Sequence, residues 1–203
     1  MAQQYSLRTV NGYDFWEASS AFQKAIRRGD EEEALYWAVE FYDQGGSLTS
    51  YCWNRMFVMT SEDIGLANPQ LPQQIVALHS IFEHFKKGKN AHEPEKLHFI
   101  HAVLLLVRSP KSRLVDWALI DAFKNHKPGR EVPDYALDKH TRRGKALGRG
   151  FPHFFEEGAK LENHSIQEGE MKYLEASREV LIGRQDFEKN LFGEEKTADD
   201  YGG

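Results

Sequence analysis

Apolar residues recur at three- and four-residue steps from residue 15 onward, which is the spacing of one face of an α-helix. The first such stripe contains Phe15, Ala18, Phe22, Ala25 and Ile26. The helical period begins at Asp14, and Gly29 follows the stripe as a C-terminal stop. Asp30 then begins a second apolar stripe that ends at Gly45 and Gly46. The pattern predicts two consecutive helices that form a hairpin.

The same periodicity predicts further helices, each bounded by glycine, proline or a polar turn. They cover residues 48–60, 68–87, 94–108 and 111–126. Residues 127–137 are a predicted loop, a short helical stretch follows, and the chain after residue 161 is charged and weakly periodic. No alternating strand pattern of useful length occurs. We therefore expect an all-α fold, a bundle of helical hairpins.

This organisation predicts one helical domain at residues 14–160, between a lead-in at residues 1–13 and a charged extension at residues 161–203. The last ten residues are expected to be a mobile tail. The longest apolar run, Ala102 to Val107, is far shorter than the ~20 residues of a membrane span. The N-terminus shows no secretion signal, so a cytoplasmic location without a membrane partner is expected. The lone Cys52 lies between Tyr51 and Trp53, which favours a small buried hydrophobe over a catalytic thiol.

The formal net charge of −5 is distributed unevenly along the chain. Residues 1–104 carry 9 Lys/Arg against 13 Asp/Glu, a balance of −4. Residues 105–150 carry 11 against 5, a balance of +6, and residues 151–203 carry 6 against 13, a balance of −7. The basic middle block either binds an anionic partner or neutralises the acidic blocks beside it.

The basic charge is concentrated next to glycines and aromatic residues. The candidate nucleic-acid-binding residues are Lys139, His140, Arg142, Arg143, Lys145 and Arg149. Gly144, Gly148 and Gly150 lie among them, and three phenylalanines follow at residues 151–155. Positive charge beside stacking rings is typical of single-stranded nucleic-acid binding. The alternative is that this segment forms salt links with the acidic C-terminal third or a neighbouring subunit, with the phenylalanines in the core.

No motif for nucleotide hydrolysis or for metal binding is complete in this sequence. Gly88-Lys89-Asn90 and Gly144-Lys145-Ala146 lack the upstream glycine and the hydroxyl residue of a phosphate-binding loop. Glu95, His98 and His101 have helical spacing, but a dinuclear site needs a second Glu-x-x-His on a facing helix. We expect no catalytic residue, metal or cofactor.

The string SEDIGLANP, residues 61–69, predicts a tight corner between two helices. Gly65 can adopt the left-handed conformation that ends a helix, and Asn68-Pro69 can begin the next one. Carboxylates at such a corner are tolerated when they are paired, and Arg55 and Lys111 are the candidate partners. The predicted structural corner comprises Ser61, Glu62, Asp63, Gly65 and Lys111. The alternative is that Glu62 and Asp63 form an acid–base pair.

Three strings in this order resemble one protein family: GDEEEALYWAVEF from Gly29, SEDIGLANP from Ser61 and SPKSR from Ser109. They look like the C-terminal domain of the bacterial replication-associated recombination ATPases of the MgsA type, which are similar to Werner-helicase-interacting protein. The resemblance covers about Ala21 to Phe155. It implies an all-α fold related to clamp-loader collars, assembly into a homotetramer, and work at stalled forks with single-stranded-DNA-binding protein.

The family's nucleotide-binding motifs and arginine finger would lie upstream of Met1, and the start Met1-Ala2-Gln3-Gln4 favours a stand-alone relative over an excised domain. Where the family has a glycine- and tyrosine-rich segment, this chain has HTRRGKALGRGFPHFFEEGAK. We therefore expect a non-enzymatic adaptor that forms a homo-oligomer, with a tetramer favoured. Its further partners would be single-stranded DNA, single-stranded-DNA-binding protein or a separate AAA+ ATPase.

The alternative class is an enzyme that acts on nucleic acid or a phosphorylated ligand through residues 140–157. It would use the loop from His140 to Arg149 together with Glu156 or Glu157. A pocket that joins those carboxylates to His153 would favour the enzyme, whereas a flat apolar patch buried by symmetry would favour the adaptor.

Overall fold

The computed structural model describes residues 7–43, 46–88 and 92–192. The predicted tail falls outside these ranges, as do residues 1–6 of the predicted lead-in. Contacts divide the chain into two compact units, Met1–His126 (unit 1) and Lys127–Gly203 (unit 2). In the described ranges every regular element is helical and a single Arg8–Asp14 bridge is the one β-type pairing, so the all-α prediction is confirmed. None of the helices in these ranges is long and apolar enough to cross a membrane.

The described part of unit 1 contains six α-helices, whose bounds follow the sequence pattern closely. They are α1 (Phe15–Arg28), α2 (Glu31–Asp43), α3 (Gly46–Met59), α4 (Leu71–Lys87), α5 (Glu95–Arg108) and α6 (Leu114–Lys124). Asp14 caps α1, because its carboxylate accepts bonds from the backbone N–H groups of Trp16 and Glu17. Gly29 ends α1 in the left-handed conformation, with a φ of 74°.

The core of unit 1 lies among the first five helices and is rich in aromatic side chains. Its largest fully buried residues include Phe22, Phe41, Trp53, Phe82 and Phe99. Cys52 is also fully buried, and burial raises the pKa of its thiol. The interpretation of Cys52 as a small core hydrophobe agrees with this position.

The N-terminal segment of unit 1 is attached to α2 by a buried carboxylate. Glu40 accepts bonds from the backbone N of Asn11 at 3.2 Å and from its Nδ2 at 2.5 Å. Burial opposes ionisation of Glu40, but hydrogen bonds from Thr9 and Asn11 outweigh it and lower its pKa. Glu40 therefore helps to hold the segment before α1 in place.

The corner between α3 and α4 differs from the prediction. Residues Thr60–Ile64 form a π-helical turn and Gly65–Ala67 a 3₁₀ turn, so α4 begins at Leu71 rather than at Pro69. Asn68 does not cap α4, because its side-chain amide donates to Oγ of Ser109 at 3.1 Å. Pro72 instead occupies the first turn of α4.

Helix α6 also begins three residues later than predicted, at Leu114. The preceding residues are engaged elsewhere: the backbone N of Ser112 donates to the carbonyl of Asp63 at 2.9 Å. The Ser112 hydroxyl then accepts from the backbone N of Leu114 at 3.2 Å. The segment before α6 is thus pinned to the corner in an extended form.

Unit 2 contains shorter helical elements and one long helix. They are a 3₁₀ turn (Asp134–Ala136), α7 (Arg142–Ala146), α8 (Phe151–His153), a π-helical turn (Phe154–Gly158) and α9 (Glu170–Phe192). The sequence pattern did not predict α9, since its apolar residues are too scattered to form a clear stripe. The domain limits at residues 13 and 160 stay predictions.

Candidate nucleic-acid interface and acidic corner

The basic segment of unit 2 is built around the short helix α7. Thr141 caps it, because its Oγ1 accepts from the backbone N of Gly144 at 3.0 Å and donates to the carbonyl of Asp138 at 3.0 Å. A Cβ at Gly144 would lie 1.8 Å from that same carbonyl. Close packing against Asp138 therefore requires a glycine at position 144. This glycine is explained without a phosphate that approaches the backbone.

Three of the six candidate cations are free to meet a ligand. Arg142, Arg143 and Lys145 are exposed, and they form no hydrogen bond or ion pair within the described ranges. All three belong to the five-residue helix α7, so their charges lie within a short distance of one another. This group is the candidate nucleic-acid interface.

The remaining candidates are engaged inside unit 2. Nζ of Lys139 lies 3.9 Å from the ring centroid of Phe151, and the ring of His140 meets Phe154 edge-on at 5.6 Å. Arg149 donates to the carbonyls of Asp134 and Leu137 at 2.8 Å each. Its Nη2 also lies 2.6 Å from Oδ1 of Asp134. Arg149 therefore closes the loop that precedes α7.

The phenylalanines beside the basic segment are half-buried and packed on one another. Phe154 and Phe155 have ring centroids 5.4 Å apart, and Arg178 of α9 lies over the Phe155 ring at 5.6 Å. The rings thus pack on one another while keeping part of their surface exposed.

The carboxylates considered for an enzyme lie on the surface of unit 2. Glu156 and Glu157 are both exposed, and Glu157 accepts from Nζ of Lys160 at 2.8 Å. Nδ1 of His153 is buried and has no hydrogen-bond partner among the residues that the structure describes. The described residues hold no group of three or more His, Cys, Asp or Glu side chains that could bind a metal ion.

The acidic corner of unit 1 is organised around Asp63, whose side chain is fully buried. Its Oδ1 accepts from Nε of Arg27 at 2.5 Å, and its Oδ2 accepts from Nε2 of Gln23 at 3.0 Å. The hydrogen bond to Asp63 raises the pKa of the Arg27 guanidinium, against the opposing effect of burial. Both carboxylate oxygens are therefore occupied by side chains of α1.

Glu62 is the second carboxylate of the corner, and two arginines hold it. Nη2 of Arg27 lies 3.2 Å from Oε1 of Glu62, and Nη2 of Arg113 lies 3.6 Å from the same oxygen. Arg113 also pairs with Asp116 at the start of α6, and its guanidinium lies over the Trp117 ring at 4.5 Å. This network joins α1, the π-helical turn and α6.

Within the described residues, neither Arg55 nor Lys111, the partners that we predicted, forms an ion pair with these carboxylates. Arg55 donates to Oε1 of Gln23 rather than to a carboxylate. Lys111 donates from Nζ to three backbone carbonyls at the end of α5, those of Leu106, Val107 and Ser109, at 2.5–3.0 Å. Burial lowers the pKa of Lys111, and the nearby charge of Asp63 opposes this effect.

Gln23, Arg27 and Arg113 could not be assigned to the corner from the sequence; the first two lie 36–40 residues before Asp63 in the chain. A weak signal existed: Gln23 and Arg27 are four residues apart, so they project from the same side of α1. Gly65 has a positive φ of 49°, but its ψ of −130° is not the left-handed helical conformation that we predicted. A Cβ there would lie 2.9 Å from Cγ2 of Val115.

His98, which we considered as a metal ligand, and His79 both pack on aromatic rings. His98 stacks on Phe85 at a centroid distance of 5.6 Å, and His79 lies 4.8 Å from Trp53 and 5.2 Å from Phe57. Burial lowers the pKa of His79. These contacts give His79 and His98 packing roles in unit 1.

Comparison with known proteins gives a family match that covers most of the chain. Residues 29–189 match the family described as the MgsA AAA+ ATPase C terminal. A replication-associated recombination protein A from Bacillus subtilis is 32% identical over 155 residues, which are 73% of this chain and 35% of that protein.

Other relatives have similar coverage of this chain. The replication-associated recombination protein A of Haemophilus influenzae is 30% identical over 145 residues, 68% of this chain and 30% of that protein. The ATPase WRNIP1 of Dictyostelium discoideum is 29% identical over 170 residues, 79% of this chain and 18% of that protein. The chain spans about a third of the length of the bacterial relatives.

Proposed function

Because this chain belongs to the MgsA C-terminal domain family of AAA+ ATPases, we propose that it is a non-enzymatic module that assembles with copies of itself in DNA replication or repair. The family match carries the proposal, since the matched domain is the one without the ATPase site. The tetramer favoured by the resemblance is the assembly we propose, in the cytoplasm. Single-stranded-DNA-binding protein or a separate AAA+ ATPase would be the further protein partners.

The acidic corner supports a structural role. An acid–base pair needs a carboxylate that can reach a substrate and exchange a proton with it. Asp63 is fully buried, and Gln23 and Arg27 occupy both of its oxygens. Glu62 is held between Arg27 and Arg113. These four charged side chains therefore stabilise the conformation of the corner rather than take part in a reaction.

Light scattering of the purified chain at micromolar concentration tests the assembly. We expect a mass near four times the 23.4 kDa of one chain. A mass near 23.4 kDa that does not change with concentration would contradict the proposal.

Binding of single-stranded nucleic acid by unit 2 is a second candidate function. Its support is the group of exposed, unpaired cations Arg142, Arg143 and Lys145 in a protein of net charge −5. Phosphates attract such charges without sequence preference, and partly exposed rings near them can stack on bases. Fluorescence anisotropy with a labelled oligonucleotide at several salt concentrations tests this function.

The enzyme alternative has less support from the geometry. Glu157 is paired with Lys160, and Glu156 is exposed on the surface. Release of phosphate from Mg-ATP, or cleavage of a labelled oligonucleotide with a defined turnover number, would favour the enzyme. The adaptor hypothesis predicts neither activity.

A further inference from the structure

Asn11 and Gly12 are the only asparagine–glycine pair in the sequence, and they lie in the turn before α1. The backbone N of Gly12 closes this turn by donating to the carbonyl of Thr9 at 2.9 Å. Asn11 is exposed to solvent. An asparagine loses its side-chain amide most readily before a glycine, because a residue without a Cβ leaves its backbone nitrogen open to the preceding side chain. The turn therefore carries a group that can be modified without an enzyme.

Loss of the amide proceeds through a cyclic imide and needs only water as a co-reactant. The backbone nitrogen of Gly12 loses its proton and forms a bond to Cγ of Asn11. The bond from Cγ to Nδ2 breaks, and the nitrogen leaves with the proton as ammonia. Water then opens the ring at one of its two carbonyls. The products are ammonia and either aspartate or isoaspartate at position 11.

The folded chain holds both of the groups that react. The N–H of Gly12 is bonded to Thr9, and Nδ2 of Asn11 donates to Oε2 of Glu40 at 2.5 Å. Oε1 of Glu40 accepts from the backbone N of Asn11 at 3.2 Å. The pKa of Glu40 is lowered, so this buried acceptor is charged at neutral pH. Because the reaction expels the nitrogen that Glu40 holds, it requires the contact to open first.

We propose that Asn11 is a deamidation site, that its contact with Glu40 slows the reaction, and that the modification weakens the attachment of residues 7–14 to α2. The reaction replaces an amide donor with a carboxylate that faces Oε2 of Glu40. Two carboxylates at this distance cannot both stay ionised, so at neutral pH the pair takes up a proton or separates. The isoaspartate product also adds a methylene group to the backbone between Thr9 and Tyr13, whose two hydrogen bonds depend on the present spacing.

The modification would also uncover aromatic rings of α2. The Tyr13 ring lies 5.0 Å from the Trp37 ring and 6.3 Å from the Tyr36 ring. The hydroxyl groups of Tyr13 and Tyr36 are 2.7 Å apart. Since Tyr13 belongs to the segment that Glu40 helps to hold, separation of Asn11 from Glu40 removes a support of these contacts.

The rate of amide loss tests the role of Glu40. The purified full chain is incubated at neutral pH and physiological temperature, and peptide mapping by mass spectrometry follows the conversion of Asn11. We expect Glu40→Gln to react about 5- to 30-fold faster than the wild type, the factor that corresponds to the loss of a charged hydrogen bond. Arg27→Met is the control, because it destabilises unit 1 through Asp63 and leaves the Asn11 contact in place.

The rate in Arg27→Met should stay within about twofold of the wild-type rate, because local opening of the turn does not follow global stability. Equal acceleration in both variants would show that unfolding of the whole unit, and not the Glu40 contact, determines the rate. The chain unfolded in guanidinium chloride gives the unprotected rate. A folded wild type that reacts as fast as the unfolded chain, or an unfolded chain that does not react at Asn11, overturns the proposal.

Hydrogen exchange tests the consequence of the modification. Asn11→Asp reproduces one product, and Asn11→Ala is its matched control, because both variants lose the Nδ2 donor and only the first gains a carboxylate. Mass spectrometry of the peptide that contains residues 7–14 should show faster exchange in Asn11→Asp than in Asn11→Ala at neutral pH. If the two variants exchange equally, or if Asn11→Asp exchanges like the wild type, the new charge does not weaken the attachment of residues 7–14, and the inference is wrong.

Discussion

Nε of Arg27 on α1 lies 2.5 Å from Oδ1 of Asp63, and this contact ties the first helix to the corner before α4. Asp63 is fully buried, whereas the side chain of Arg27 retains 30% exposure. A buried carboxylate is tolerated when its charge is compensated, and removal of one partner leaves that charge uncompensated. The stability of unit 1 should therefore depend on Arg27 more than on any surface arginine.

Arg27→Met should lower the free energy of unfolding by about 3 kcal/mol, the lower end of the range for breaking a buried pair. The partial exposure of Arg27 is the reason for choosing the lower end. Urea denaturation followed by circular dichroism measures the change. Arg28→Met is the control, because Arg28 is exposed and the expected change there is under about 0.5 kcal/mol. Equal losses in the two variants would show that the Asp63 contact contributes little.

Gly65→Ala should destabilise unit 1 through two separate effects. The φ of 49° with a ψ of −130° is unfavourable for any residue with a Cβ, and the new Cβ would lie 2.9 Å from Cγ2 of Val115. We expect the strain and the overlap together to lower the free energy of unfolding by about 2–3 kcal/mol. Gly46 also has a positive φ, 51°, but no atom of the described residues lies close to the position of a new Cβ. Gly46→Ala should therefore lower the free energy of unfolding by about 1 kcal/mol.

A double variant separates strain from overlap at this position. Val115→Ala removes the atom that the new Cβ would approach, so Gly65→Ala should cost less in the Val115→Ala background than in the wild type. If the cost is the same in both backgrounds, only backbone strain acts at Gly65.

Glu40→Gln should destabilise the protein near pH 7 by about 1–3 kcal/mol, because it weakens hydrogen bonds to a charged acceptor. The folded-state pKa of Glu40 is lowered, so its contribution is present above the unfolded-state pKa near 4.5. As the pH falls from about 4.5 through the folded-state pKa, Glu40 becomes protonated and that contribution is lost. The stability difference between the variant and the wild type should therefore shrink below about pH 4.5.

Urea denaturation at a series of pH values checks the Glu40 prediction. Glu32→Gln is the control, because Glu32 is exposed on the same helix and should change stability by under about 0.5 kcal/mol. A difference between Glu40→Gln and the wild type that stays constant from pH 7 to pH 3 would show that ionisation of Glu40 does not stabilise the fold.

The triple variant Arg142→Ala, Arg143→Ala and Lys145→Ala should flatten the salt dependence of single-stranded DNA binding. Each neutralised phosphate contributes a slope of about −0.7 in log affinity against log salt, so three charges account for about −2. Arg149 is left in place, since it holds the loop before α7. Fluorescence anisotropy between 50 and 200 mM salt gives the slope.

A variant with the same change in net charge provides the control for DNA binding. Arg28→Ala, Lys87→Ala and Lys124→Ala remove three exposed cations from unit 1 and should leave the slope unchanged. If both triple variants flatten the slope equally, net charge rather than α7 determines binding. Absence of wild-type binding at 50 mM salt and tens of micromolar protein would exclude the DNA function.

The sequence by itself determined the helices of unit 1, the all-α class and the family. Helical periodicity and caps depend on residues within about four positions of one another, so Asp14, Gly29 and the spacing of the apolar stripe were sufficient to place α1. The string SEDIGLANP was specific enough to indicate the family, and the match over residues 29–189 confirms it.

Only the tertiary structure decided how the corner is paired and where α6 begins. Arg27 reaches Asp63 across 36 positions of the chain, and many arginines could satisfy a carboxylate equally well on sequence grounds. Lys111 could be assigned to the α5 carbonyls only once the end of α5 was in place. The same holds for α6: its apolar pattern predicted a helix, but which of its apolar residues stay exposed depends on the elements that pack against it.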